Sequence, residues 1–198
     1  MLADQKIKNL QKIKGKARGV TLNTDMKYIT EQKGEKKLKE IVAEMNKIEP
    51  NFNPKKIKNT DWVPLKWRVL FLLITKNILG WKSKEIFAMG RQAPINSFIV
   101  KMILRYFNFF KRTCSEAPKY WKKHYSVGEL ITAEYSDEEK YVIFKLKKFK
   151  IHPVLCTYLK GYFLGMADLT NRSEKVTIEE TKCPFETDAY PEFIMQWK

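Results

Sequence analysis

The stretch HPVLCTYLKGYFLGMADL (152–169), followed by KVTIEETKC (175–183) and PEFIMQW (191–197), decides the fold. The first piece has apolar residues over a broad face at helical spacing, and the other two alternate as strands do, so the run reads helix, strand, turn, strand. Val176, Ile178 and Glu180 share a face of the first strand, and Phe193, Met195 and Trp197 share a face of the second. Cys156, Glu180 and Cys183 fall at the joints of this unit, where they are either ligands or packing.

Working back from it, Glu129 to Tyr135 and Lys140 to Lys147 read as two more strands joined through SDEE, with Val142, Phe144 and Leu146 facing inward. Ahead of them, SEAPKYWKKHY reads as a short helix with Ser115 as its cap. From Ile95 to Phe110 the pattern is that of a two-faced helix: Phe98, Met102 and Tyr106 belong to a wide apolar side, while Lys101, Arg105, Asn108 and Arg112 line the other. That apolar face suits core packing, a dimer interface or the wall of a pocket, and methionine and aromatics serve all three.

Leu65 to Leu79 is apolar nearly all round, which marks a central helix ended by Gly80. Another helix begins near Ser83, with Glu85 in its first turn, and Pro94 interrupts or kinks it. Earlier still, Asp25 to Lys47 holds two helices divided at Gly34, capped by Asn23 or Thr24, and RGVTLN (18–23) is an extended lead-in. Glu49 to Pro64 is a loop anchored by Trp62. Residues 1–17 form a basic arm, either amphipathic or frayed, ahead of a single domain over 18–198. The order predicts an α+β domain, helices packed on one antiparallel sheet of about four strands.

With 198 residues, 44% of them hydrophobic, the chain can bury a substantial core. The apolar run Val69 to Ile74 is far shorter than the roughly 20 residues a bilayer span needs, and no secretory signal is read at the start, so a cytoplasmic location is expected. Three cysteines do not make a disulfide framework. A net charge of +16 raises nucleic-acid binding, but the excess is lysine spread along the chain, whereas base-reading surfaces lean on arginine. No glycine-rich nucleotide loop or paired-carboxylate motif is present. A Cys156–His152 nucleophilic pair lacks an orienting third residue, so no catalytic site is expected.

Several of these residues together, Arg18-Gly19, His152-Pro153, Leu155, Cys156, Gly161, Glu180, Cys183, Asp188, Glu192-Phe193 and Trp197, give the chain a pattern that resembles the 4-vinyl reductase domain superfamily. The resemblance implies a TRAPP-like fold and a non-catalytic module, commonly a homodimer, that binds an apolar small molecule or acyl chain and acts as a sensor or adaptor through a protein partner. The pocket residues expected are Phe98, Met102, Tyr106, Tyr158 and Phe163. The resemblance also implies a structural zinc on Cys156, Glu180 and Cys183. Its fourth ligand position falls on Pro191, which has no donor, so His152 or Asp188 is the substitute. The alternatives are a dimeric scaffold without a ligand and a basic nucleic-acid-binding protein.

Overall fold

Alternation in Tyr141–Lys147 puts Val142, Phe144 and Leu146 on one face, and all three are buried in the computed structural model, which describes residues 4–97, 110–170 and 175–198. Four strands, β3 (Glu129–Ser136), β4 (Tyr141–Lys147), β5 (Val176–Lys182) and β6 (Glu192–Trp197), form one antiparallel sheet in the order β3-β4-β6-β5. Phe193, Met195 and Trp197 of β6 are buried beside the β4 residues. The expected α+β architecture is therefore present, with each of these four strands within a residue of its predicted bounds.

The helices are α1 (Asp4–Gln11), α2 (Gly19–Ile48), α3 (Leu65–Ile78), α4 (Ser83–Asn96), α5 (Phe110–His124) and α6 (Pro153–Thr170). A two-stranded ribbon of β1 (Lys16–Arg18) and β2 (Trp62–Pro64) ties the start of α2 to the start of α3. As expected, α3 is central: Leu65, Val69, Leu70, Phe71 and Leu72 are all buried. Gly34 breaks α2 at φ +82°, a left-handed conformation that glycine adopts at no steric cost.

Helices α4 and α6 approach each other backbone to backbone. A methyl group added to Gly90 would strike the Tyr158 carbonyl, and one added to Gly161 or Gly165 would strike the carbonyls of Phe87 and Arg91. Three glycines thus let two backbones touch, which fixes the depth at which the aromatic residues of α6 meet the sheet. Arg91 and Asp168 close the outer edge of this contact, with Nε to Oδ2 at 2.6 Å.

Some local readings are corrected. The helix begins at Gly19 rather than after Asn23, whose amide donates to the Ile57 carbonyl and the Asn59 side chain instead of capping. Ser115 lies inside α5, its hydroxyl donating to the Arg112 carbonyl at 3.0 Å. Pro94 sits within the last turn of α4, which runs on to Asn96. Trp62 is 37% exposed under the Arg18 guanidinium, so the loop is anchored instead by Phe52, buried edge-on against Trp67. The face carrying Phe98, Met102 and Tyr106 lies outside the described residues. Among those described, no helix is long and apolar enough to cross a membrane.

Candidate ligand pocket

Between the helices and the sheet lies a cavity of about 130 Å³. Ala93 of α4, Cys114 and Trp121 of α5, and Tyr158, Tyr162 and Phe163 of α6 contribute to its wall, and Leu130, Phe144 and Met195 close it from the sheet. Phe163 stacks on Phe144 at 5.3 Å between ring centres and meets Phe193 edge-on, so the sheet side is aromatic and firmly packed. The Thr132 hydroxyl donates to the Cys114 carbonyl at 2.6 Å, holding α5 to the bulged strand β3.

One end of the cavity is polar. Asp25 of α2 and Arg68 of α3 are 0% and 2% exposed and form an ion pair, Arg68 Nε to Asp25 Oδ2 at 2.8 Å. Arg68 Nη2 approaches Asp25 Oδ1 at 3.4 Å, and the Tyr158 hydroxyl donates to the same oxygen at 2.5 Å. Arg68 Nη1 donates to the Tyr125 hydroxyl oxygen, and the guanidinium lies 4.3 Å over the Tyr158 ring. Burial pushes the Asp25 carboxyl up against the pull of Arg68 and Tyr158. For Arg68 burial works the other way, but Asp25, Tyr125 and Tyr158 outweigh it and hold its pKa well above the usual value. A buried charge survives only when paired and hydrogen-bonded, and these four residues, drawn from distant parts of the chain, satisfy that condition.

His124, at the end of α5, also lines the cavity, and burial keeps its imidazole neutral by lowering its pKa. Its Nδ1 lies 2.9 Å from the Tyr120 carbonyl, which only accepts, so Nδ1 carries the proton and Nε2 is an acceptor. The Cys114 thiol is pushed up to about 12 by burial and stays protonated.

Of the pocket residues expected from the sequence, Tyr158 and Phe163 line this cavity, and Phe98, Met102 and Tyr106 fall outside the described residues. Asp25, Arg68 and Tyr125 were missed. The signal is Arg68 itself, a lone arginine inside the otherwise apolar stretch Val63 to Ile74 apart from Lys66, where a buried charge demands a partner.

The metal expectation is corrected. Cys156, Glu180 and Cys183 do come together, since both thiols act on the Glu180 carboxyl, whose pKa burial raises against them. Yet no group of histidine, cysteine, aspartate or glutamate able to hold a metal ion occurs among the described residues. The substitutes are otherwise engaged. His152 Nδ1 accepts from the Val154 amide at 3.1 Å, capping α6, and Asp188 Oδ2 accepts from the Cys183 amide at 2.9 Å, closing the turn before β6. Cys156 is buried, and Glu180 Oε1 is buried without a hydrogen-bond partner.

Comparison with known proteins places the fold elsewhere than the sequence pattern suggested. No protein-family model matches the chain, and no curated protein matches it. Solved structures do. The H-NOX domain from Shewanella oneidensis in its Fe(II)CO ligation state is similar with a TM-score of 0.71 at 12% identity, over 91% of this chain and 98% of that one. The H-NOX protein from S. oneidensis in the Fe(II)NO state gives 0.69 at 12% identity, covering 91% and 99%. A structure concerned with the mechanism of H-NOX activation gives 0.65 at 15%, covering 91% and 96%. The 4-vinyl reductase and TRAPP-like resemblance is thereby overturned, and the cofactor expectation drawn from it, none or zinc, is corrected with it: the similar structures are described in ferrous ligation states, and no metal-holding group occurs among the described residues of this chain. The residues that carried it are explained by packing: Gly161 admits α4, His152 caps α6, and Trp197 meets Phe110 edge-on at 5.0 Å. At these identities the likeness is one of fold: the chain is similar, over most of its length, to the H-NOX architecture of helices against a four-stranded antiparallel sheet.

Proposed function

We propose that the chain is a non-catalytic sensor module that takes a small, mainly apolar molecule into the cavity between α4, α5, α6 and the sheet and passes the change to a protein partner. The observation that carries this reading is the cavity itself: an aromatic and aliphatic wall with one compact polar end, the arrangement typical of small-molecule sites. Support comes from the similar structures, described in Fe(II), Fe(II)NO and Fe(II)CO ligation states, in which the same fold serves ligand uptake.

Haem, implied by that fold, does not fit the described pocket. The space of about 130 Å³ is near the roughly 150 Å³ of a cavity that holds benzene, and a tetrapyrrole is several times larger. Trp121, Tyr158, Tyr162 and Phe163 occupy the wall where a macrocycle would need room. Arg68, the one arginine or lysine among the described lining residues, is committed to Asp25 rather than to propionates. His124 Nε2 is the single nitrogen suited to iron among the described lining residues, and one ligand does not make the space.

Benzene titrated into the isotope-labelled protein is expected to shift amide signals around Leu130, Phe144 and Phe163. Ala117→Leu, which fills the cavity from α5, is expected to abolish those shifts with the fold retained by circular dichroism. Hemin is expected to bind without stoichiometry. A stoichiometric hemin complex whose Soret band is lost in His124→Ala would overturn this assignment, and absence of any shift with benzene would overturn the reading altogether.

A further inference from the structure

The polar end of the cavity has a direction. Arg68, Tyr125 and Tyr158 line the cavity, whereas Asp25 is not part of the lining. Both oxygens of Asp25 are occupied, Oδ2 by Arg68 Nε and Oδ1 by Arg68 Nη2 and the Tyr158 hydroxyl. The Tyr158 hydroxyl has spent its proton on that contact. Tyr125 is different: its oxygen accepts from Arg68 Nη1, and its own O–H has no acceptor among the described residues. A guanidinium carries five N–H groups, and three of those on Arg68 are used here. The network therefore presents hydrogen-bond donors to the cavity and keeps its acceptors turned away.

Its charge is already balanced. Arg68 is neutralised by Asp25, so an anionic guest would bring an uncompensated charge into a buried site, and a cationic one would meet the donors of Arg68 and Tyr125 at this end of the cavity. A neutral oxygen acceptor satisfies what the site leaves open. Resting on the reading of this cavity as a ligand site, we infer that its ligand is a small, neutral, mostly apolar molecule bearing one carbonyl-type oxygen, which accepts from the Tyr125 hydroxyl and a spare N–H of Arg68. Tyr125 is then the residue that selects a carbonyl from a hydrocarbon of the same shape, as sites built around a buried donor do.

The test compares cyclopentanone with methylenecyclopentane, which differ by O against CH2, on the full chain by titration calorimetry and NMR. Tyr125→Phe is expected to lower the ketone-to-hydrocarbon affinity ratio by roughly tenfold, the ketone losing more than the hydrocarbon. The carbonyl stretch of cyclopentanone bound to the unmodified protein is expected at a hydrogen-bonded frequency, below its value in an alkane, and this readout stands if the variant does not fold. An alkane-like stretch, or equal losses for both ligands in Tyr125→Phe, overturns the inference while leaving the cavity a ligand site. Failure of both compounds to bind overturns the ligand site and the inference together.

Discussion

Two polar clusters in this protein, one fully buried and one half-buried, meet opposite fates. Around Arg68, from α3, the carboxylate, the guanidinium and both tyrosines answer one another, and the ion pair is almost fully buried. Around Glu180, from β5, the carboxyl lies against two thiols, which are weak donors, and one of its oxygens is left unpaired. The register slip between Glu180 and Lys182 accompanies this: a bulge re-aims a side chain, and here the hydroxyl of Thr181 donates to Glu192 at 3.1 Å. A complete network fixes one geometry, whereas an incomplete one adds cost without specifying anything.

The comparison can be broken most severely at Arg68. Arg68→Met leaves Asp25 buried without its partner, and a loss of about 3–5 kcal/mol is expected in urea unfolding. The double variant Asp25→Leu with Arg68→Met is expected to recover much of that loss, since removing both charges removes the desolvation cost as well. Equal loss in single and double variants would show that packing, not charge, holds this site.

A smaller effect is expected at Glu180. Burial raises its folded pKa above the ordinary value near 4.5, so the folded state holds the proton more tightly than the unfolded one. Its contribution is fully present below the unfolded value and is lost as pH rises through the folded value. Glu180→Gln is therefore expected to flatten the fall in stability above pH ~4.5 and to gain under about 1 kcal/mol at neutral pH. A steeper fall in the variant would reverse the sign and defeat this account.

The smallest expected effect is chemical rather than energetic. Cys183 is half-buried, and Cys114 and Cys156 are buried. Brief alkylation of the native protein should place one label, on Cys183, with the other two appearing only in denaturant. Mass spectrometry of the labelled peptides reads this directly. Rapid labelling of Cys156 would mean that the joint between α6 and the sheet opens.

Much of the fold was legible. Period-two alternation marks each of the four sheet strands to within a residue, because a half-buried sheet face imposes that pattern regardless of what packs on it, whereas the three-residue strands β1 and β2 are too short to show it. The all-apolar character of α3 predicted its central place. Helix starts were less legible: α2 opens at Gly19, which packs so closely on the Lys58 carbonyl that a side chain there would clash, a contact 39 positions along the chain that local sequence does not announce. The candidate site was legible only at Tyr158 and Phe163. Spacing drew attention to Cys156, Glu180 and Cys183, which helix, bulge and turn place side by side, but spacing carries no information about whether donors converge on one point.

What the sequence determined by itself is the set of elements and which faces are apolar, since both follow from local periodicity and the avoidance of exposed hydrocarbon. Tertiary structure alone decided which polar residues are functional candidates. Asp25, Arg68, Tyr125 and Tyr158 span more than 130 positions and come from four separate segments. Their meaning lies in hydrogen bonds of 2.5 to 3.4 Å, distances that no pattern along the chain encodes.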